Sequence, residues 1–390
     1  MTDSSHSALD KATATGLTIG VEEEFLLVDE ISGRTAPRAA AVLAKASTAP
    51  PCAEGAAVHS ELLSIQIEAT TGVCVTLEGL RAQLCGARAG LARAAQAERT
   101  VLISSGTPIL ADTVPSTAGP TTAATLITAG ERYDHIARAY AGVVADYQVC
   151  GCHVHVGVPD RDTAVAVLNH VARWLPTLLA MSGNSPFYQG HDTGYASWRM
   201  VQQTRFPGSG LSPWFSSAAD YDEQVARLVE CGALIDQRMT FWVARPSPQL
   251  PTVEFRVADA ASTVDEAVLQ AALSRALVRT ALGELAAGRE ACALRAQVAS
   301  AALWCAARHG LNGPGVDLLA ERRVPALDLL HELVSWVSCA LEEVGDLGPV
   351  RDSVAELVKH GIGAEHQRRA AVAGLHAVVG MLGTRTTRGL

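Results

Sequence analysis

The sequence lacks the usual phosphate-binding signatures. Its 390 residues contain no Walker A loop and no Gly-x-Gly-x-x-Gly run into a helix. A P-loop or a dinucleotide-binding turn is therefore excluded as the nucleotide platform. A Gly-x-Ser-x-Gly elbow and a His-Glu-x-x-His helix are absent as well, which removes the serine hydrolase elbow and the zincin site. No Cys-x-x-Cys pair occurs among the nine cysteines, and that odd number sits mostly in apolar surroundings. They read as reduced core thiols. Basic excess is missing too. A formal net charge of −9 argues against non-specific nucleic-acid binding. No stretch reaches the roughly 18 uncharged apolar residues of a membrane span. Met1 to Thr15 has neither a basic start nor an apolar run, so it does not read as a signal peptide. The expectation is a cytoplasmic protein without nucleic-acid or membrane partners, with a disordered tail over residues 1–15.

What remains is a chain with 48% apolar residues, ample for a large core. Leu17 to Val28 and Glu61 to Ala69 read as strands, and Val101 to Gly106 as a buried one. Thr76 to Glu98 places Leu77, Leu80, Leu84 and Leu91 at helical spacing. Thr107 to Gly130 is rich in Thr, Pro and Gly and reads as a loop, with a helical turn over Ala123 to Thr128. Glu131 to Tyr147 follows as a helix and Gln148 to Val158 as a strand. A long helix spans Asp162 to Ser182, with Asp162 or Thr163 as N-cap and Gly183 just past its end. Asn184 to Phe215 is too long for an ordinary connection and too aromatic for disorder. Tyr221 to Ile235 is helical. Met239 to Arg245 and Thr252 to Ala258 form a hairpin, and Val264 onward is helical with breaks near Gly310–Gly315 and Gly345–Pro349. No internal repeat or linker is evident. The prediction is one domain over residues 16–390, of the α+β class. It comprises an antiparallel sheet of about six strands, helices on one face, and a helical portion over about 264–390.

Four of these strands carry polar groups two apart, and residues two apart share a face. Glu22 and Glu24 share one, as do Gln66 and Glu68, His153 and His155, and Glu254 and Arg256. Two carboxylates about 6.5 Å apart repel by roughly 2.5 kcal/mol at an effective dielectric near 20. Each motif alone fits a solvated sheet face or a cross-strand ion pair. Together, within apolar strands, they call for cations. Oxygen ligands at that density suit Mg²⁺ or Mn²⁺, and Mg²⁺ with few carboxylates completes its shell with phosphate oxygens. That points to a nucleotide phosphate. A zinc site at Cys150-Gly151-Cys152-His153-Val154-His155 is the rival. Alternation sends Cys150 and Cys152 to one face and His153 and His155 to the other, which argues against it.

The motifs Gly20–Phe25, Cys150–Gly157, Asp192–Arg199, Arg245–Pro248 and Pro251–Asp259 resemble the glutamate–cysteine ligase type 2 family, with its YbdK-type carboxylate–amine ligases as the nearest pattern. Arg308-His309-Gly310-Leu311 extends the resemblance toward the C-terminus. It implies a glutamine synthetase-like catalytic sheet and an ATP-dependent ligase. The γ-carboxylate of glutamate would attack ATP, and an amine, cysteine or another, would attack the acyl phosphate. The resemblance implies Glu22, Glu24, Glu68, His153 and Glu254 as metal ligands, with Glu61 a weaker candidate. Glu24 and Arg256 are the catalytic candidates, Arg256 as stabiliser of the transferring phosphoryl group. Arg199 and Arg245 would hold phosphates or the substrate's α-carboxylate, and His155 would touch phosphate or support the ligands. Homo-oligomers are the family habit. One departure is Val243, where the family pattern has an acid before Arg-Pro. Two other readings stay open at this stage: a metal-dependent amide hydrolase, and a non-catalytic nucleotide or amino-acid sensor of the same fold.

Overall fold

The computed structural model describes residues 9, 11–48, 50–110 and 126–390. Five strands come first: β1 (Ile19–Asp29), β2 (Ala57–Ser60), β3 (Gln66–Thr70), β4 (Thr100–Ile103) and β5 (Gly151–Gly157). Two-residue strands β6 (Phe187–Tyr188), β7 (His191–Asp192), β8 (Ser209–Gly210) and β9 (Phe241–Trp242) follow. The last four are β10 (Ala244–Pro246), β11 (Thr252–Asp259), β12 (Pro314–Asp317) and β13 (Arg322–Pro325). The principal sheet is antiparallel and runs β10-β11-β5-β1-β3-β2, with β4 beside β1.

Alternation along β1 sets the architecture. Val21 and Phe25 enter the core beneath the sheet, together with Val154 and Val156 of β5 and Val253 and Phe255 of β11. The helices Leu77–Ala97, Arg161–Val171 and Val264–Ala286 pack on that face. Val264–Ala286 is buried along most of its length and starts at Thr263, whose hydroxyl accepts from the Glu266 amide. At the other end of β1, Leu26 and Val28 share a core with Val378, Val379 and Leu382 of the helix Leu375–Thr386. The C-terminal helix thus closes the opposite face where the acids stop. The Arg161–Ser182 stretch is apolar and long enough to cross a membrane, but 83% of its most apolar window lies inside the protein. Its apolarity is that of a core helix.

The middle residue of the Glu22–Glu24 run points the other way. Glu23 meets Arg88, which sits four residues after Leu84 on the apolar face of Leu77–Ala97. Arg88 is fully buried and donates through Nε (3.0 Å) and Nη2 (2.6 Å) to the Glu23 carboxylate. It also donates to the carbonyls of Ala261 and Thr386. One guanidinium therefore ties the sheet, the entry to Val264–Ala286 and the C-terminal helix.

Several boundaries differ from the sequence expectations. Glu61 is not on a strand: β3 begins at Gln66, and Glu61 lies in the turn from β2, a seventh strand whose polar sequence hid it. The helix over 131–147 breaks at Ala141, which adopts a positive φ of 42°. The helix over 162–182 starts one residue earlier, capped by Asp160 Oδ1 accepting from the Thr163 amide, and tightens to a 3-10 turn at Ala172–Trp174. A hairpin, β12 with β13, interrupts the C-terminal helices. Residues 11–14, within the expected tail, form a helical turn, and residues 1–8 and 10 lie outside the described residues. So does half of the helical turn expected over 123–128, residues 123–125; the described half is not helical, and Ile127 bridges Leu63 instead.

Removing one member of a buried ion pair leaves an uncompensated charge, worth about 3–5 kcal/mol. Glu23→Gln is expected to lower stability by about that amount in urea unfolding at pH 7. The double variant Glu23→Gln with Arg88→Met should lose less than the sum of the two single changes. Additive losses would show that the pair is not coupled.

Candidate active site

The face of the sheet opposite the helix core collects the polar groups. β1 lies between β3 and β5, so Glu24 is opposite Glu68 and Glu22 is opposite His153. β11 extends the row by placing Glu254 opposite His155, and β10 adds Arg245 opposite Glu254. Between Phe255 and Ala258 the pairing of β11 with β5 shifts by one residue. This bulge sets Arg256 and Val257 against His153, and bulges often sit beside active sites because they re-aim side chains.

Two clusters of ligand atoms result. Glu22, His155 and Glu254 form one, and Glu24, Glu61 and Glu68 the other, each with its atoms within 4.8 Å of one another. His153 stands between them, its Nδ1 3.2 Å from Glu22 Oε2 and its Nε2 3.9 Å from Glu24 Oε1. That Nε2 is buried and has no hydrogen-bond partner. His155 directs Nδ1 to Thr252 Oγ1 at 2.9 Å and holds Nε2 3.2 Å from Glu22 Oε1. The imidazole grouped with Glu22 and Glu254 is His155, while His153, the ligand that the resemblance implies, lies beside Glu22 between the two clusters. Glu24 Oε2 accepts from the Gly151 amide at 2.6 Å.

The electrostatics divide the acids. Burial works to raise Glu22, but hydrogen bonds and charge from His153 and His155 prevail and hold it well below the usual carboxylate range. Burial would also raise Glu254, yet Arg245 and Arg256 drive it well below. Glu61 goes the other way. Burial and then the Glu24 charge push it up to about 7. Glu68 rises well above its ordinary value through burial and the charges of Glu61, Glu22 and Glu24. Hydrogen bonds and neighbouring positive charge thus favour ionised acids in the first cluster, and burial and mutual repulsion favour protonated ones in the second.

A cavity of about 210 Å³ opens on this surface, lined by Glu24, Glu61, His153, Arg199 and Arg256 and walled by Tyr147, Phe206 and Phe241. Phe206 and Phe241 stack with centroids 4.3 Å apart. Arg256 contacts Glu254 through Nη1 and leaves its buried Nε without a partner. Arg199 donates to the carbonyls of Arg256 (3.0 Å) and Val257 (3.4 Å), and its Nε is likewise buried and unpartnered. Arg245 differs from the expectation that it faces substrate. It donates through Nε to Glu254 Oε2 at 2.8 Å and through Nη1 to Arg238 O, Thr240 O and Thr240 Oγ1. It is not among the residues lining the cavity. Val243 is fully buried, with its amide bonded to Gly210 O and its carbonyl accepting from the Arg256 amide. A larger cavity of about 550 Å³ lies among Tyr195, Trp214, Leu294 and Trp304. No carboxylate, imidazole or guanidinium appears among its described lining residues.

Sequence reasoning missed Tyr133, Tyr147 and Gln203 as cavity residues. They come from helices or their ends, and no periodic signal links a helix terminus to a distant strand face. Gly151 was quoted only as part of a motif. Its significance, an amide pointing at Glu24, is a backbone feature without a side-chain signature.

The donor set fits a hard divalent cation. Carboxylate oxygens dominate both clusters, one imidazole joins the first, and neither thiol joins them: Cys152 is buried in the helix-side core, whereas Cys150, just before β5 begins, does not share its face as alternation predicted but lies with Leu26 and Val28, its Sγ accepting from Gln66 Nε2 at 3.4 Å. All nine cysteines are unpaired.

Residues 18–379 match Glutamate-cysteine ligase family 2 (GCS2). A Saccharopolyspora erythraea protein that carries the provisional name glutamate–cysteine ligase 2-2 is 57% identical over 96% of this chain and 93% of its own length. A Nocardia farcinica protein, provisionally named glutamate–cysteine ligase 2-1, is 44% identical over 95% of this chain and 94% of its own. Among solved structures, glutamate–cysteine ligase from Francisella tularensis in complex with AMP matches with a TM-score of 0.66, covering 96% of this chain and 89% of that one. At 12% identity that likeness speaks for the fold. The sheet, its acid-lined face and these matches agree: the chain is a ligase that belongs to glutamate–cysteine ligase family 2.

Proposed function

We propose that this protein joins a carboxylate to an amine at the expense of ATP through an acyl phosphate, with glutamate as the acid and a γ-glutamyl amide as the product. The observation that carries the reading is the pair of ligand clusters on one sheet face, flanked by the guanidinium groups of Arg199 and Arg256 in one cavity. Glu22, His155 and Glu254 would hold one Mg²⁺ or Mn²⁺, and Glu24, Glu61 and Glu68 the other, with His153 between them. Bound cations there would neutralise phosphate oxygens and draw ATP onto the sheet.

The reaction balances simply. A γ-carboxylate oxygen attacks the γ-phosphorus of ATP, the bond to the bridging oxygen breaks, and ADP leaves. The amine nitrogen then attacks the acyl carbon, inorganic phosphate departs, and the nitrogen loses a proton. Arg256 would meet the charge that builds on the phosphoryl group, and its planar fork suits phosphate oxygens. Arg199 offers a second buried cation for phosphate or for the substrate's α-carboxylate. Arg245 keeps Glu254 ionised and oriented. Phe206, Phe241 and Tyr147 supply an apolar wall. The amine site is not defined by a carboxylate at position 243, because Val243 is packed in the core. Cysteine is therefore one candidate acceptor among several. A sheet whose strands span residues 19–259, with the later helices packed on it, supports reading residues 16–390 as one domain, and the unpaired cysteines suit a cytoplasmic enzyme.

Purified protein given ATP, Mg²⁺ and glutamate is expected to release ADP and phosphate when a suitable amine is added, as read by coupled ADP assay across an amine panel. Release of AMP and pyrophosphate would rule out the acyl phosphate. Glu24→Gln should lower turnover by at least 100-fold, on the scale of about 2.7 kcal/mol of transition-state stabilisation, with its thermal midpoint little changed.

A second expectation concerns pH. Glu61 in the fold holds its proton up to about 7, above its value in an unfolded chain. A raised carboxyl stabilises the metal-free fold at low pH, and that contribution is lost as pH climbs through about 7. A cation that displaces the proton should therefore stabilise more at high pH. The rise in melting temperature on adding MnCl₂ is expected to be larger at pH 8 than at pH 6. Equal rises would contradict proton–cation exchange at Glu61 and Glu68.

A further inference from the structure

Arg199 sits on the second residue of the short helix Trp198–Gln203, and its guanidinium lies directly over Gly151. A β-carbon at Gly151 would come within 2.5 Å of Arg199 Nη2 and 2.9 Å of Arg199 Cζ. Glycine is required there by close approach, since its own backbone conformation is ordinary strand. Directly across the ladder from Gly151 is Asp259. Without the bulge at Arg256 and Val257, alternation would turn Asp259 toward the helix core. The extra residue reverses its parity and puts it on the site face.

Asp259 is fully buried, and its carboxylate builds the loop that presents Arg199. Oδ1 accepts from Ser197 Oγ at 2.7 Å, and Ser197 Oγ in turn accepts from the Met200 amide as the cap of the Trp198–Gln203 helix. Oδ2 accepts from Ser185 Oγ at 2.7 Å and from the Asn184 amide at 2.9 Å. Ser185 Oγ accepts from the Arg199 amide at 3.0 Å. The Arg199 side chain returns to within 3.9 Å of Oδ1. Gly106 completes the frame, because a β-carbon there would fall 2.9 Å from the Asp259 carboxylate.

We propose that Gly151 and Asp259 are positioning residues that together fix the Arg199 guanidinium in the cavity: one opens the space it lies in, and the other anchors the helix that carries it. The assignment rests on Arg199 serving as the anion-binding group in the ligase reading. The closest atoms a new methyl group would strike, Nη2 and Cζ, are the far end of the flexible Arg199 side chain, whereas the His153 Nε2 it would also meet lies further off, at 3.0 Å. Gly151→Ala therefore displaces the guanidinium rather than unfolding the strand.

Two measurements test this. The buried Arg199 Nε–H should give a protected resonance in ¹⁵N-labelled protein, identified by its loss in Arg199→Lys. Gly151→Ala is expected to shift or broaden that resonance, keep the circular dichroism spectrum, and lower kcat/KM by about 100-fold, the scale of loss for a misplacement of about 1 Å. Asp259→Asn should move the same resonance and lower kcat/KM in the same direction. In an Arg199→Ala background, Gly151→Ala should cost less than about 3-fold more, because residues acting through one group are not additive. An unmoved resonance in Gly151→Ala overturns the proposal. So does an equal loss in the Arg199→Ala background, which would route the effect through Glu24 or His153. Absence of ADP release by the unaltered enzyme would sink the ligase reading instead, and the resonance would still decide the positioning.

Discussion

Three glutamates in a row on one strand are the constraint on which the molecule turns. Strand alternation sends Glu22 and Glu24 to one face and Glu23 to the other. Glu23 would be an intolerable buried charge without Arg88, and Arg88 would be one without Glu23. The pair fixes the register of β1, because a slip of one residue would face two carboxylates into the helix core and strand the guanidinium. The register of β1 in turn fixes which residues of β3 and β5 stand beside Glu22 and Glu24. The site geometry therefore follows from an ion pair on the opposite side of the sheet.

Charge compensation differs along the site face. Near β11, Arg245, Arg256 and two imidazoles balance Glu22 and Glu254, so that end keeps its carboxylates ionised. Near β3, Glu24, Glu61 and Glu68 crowd one another, with His153 3.9 Å from Glu24 and the Arg256 charge only a lesser influence on Glu61, and two of the three are driven toward the protonated form. The cavity lies over this gradient, between a fixed pair of cations and a set of acids that need one. A polyphosphate is a chain of negative oxygens that would span both ends with cations between.

Much of this was legible in the sequence because the key strands are long and their polar residues fall two apart. Alternation alone separated Cys152 from His153 and joined Glu254 to Arg256. Helix Leu77–Ala97 was legible from its leucines, but Arg88 was not. It occupies an apolar position, and only the fold shows why a charge belongs there. The class of the fold was accessible, whereas Glu61 on a turn, the bulge in β11 and the kink at Ala141 were not. Each breaks a period, and period-based reasoning has no purchase where the period fails. Arg245 was not legible as the partner of Glu254 for a related reason. Its partner is the residue directly opposite on β11, and cross-strand register cannot be read before the hairpin's turn is known.

The turn that carries Glu61 has a mechanical consequence. The cluster of Glu22, His155 and Glu254 takes all its ligands from three hydrogen-bonded strands, so its spacing is as stiff as the sheet. The other cluster takes two from strands and one from a turn that Thr128 props through the Glu61 carbonyl. A stiff ring of donors selects an ion by radius, whereas a ring with one compliant member adjusts to it. Cations bound at the two positions as proposed would differ in exchange as well as in affinity, the position near β3 releasing its ion the more easily.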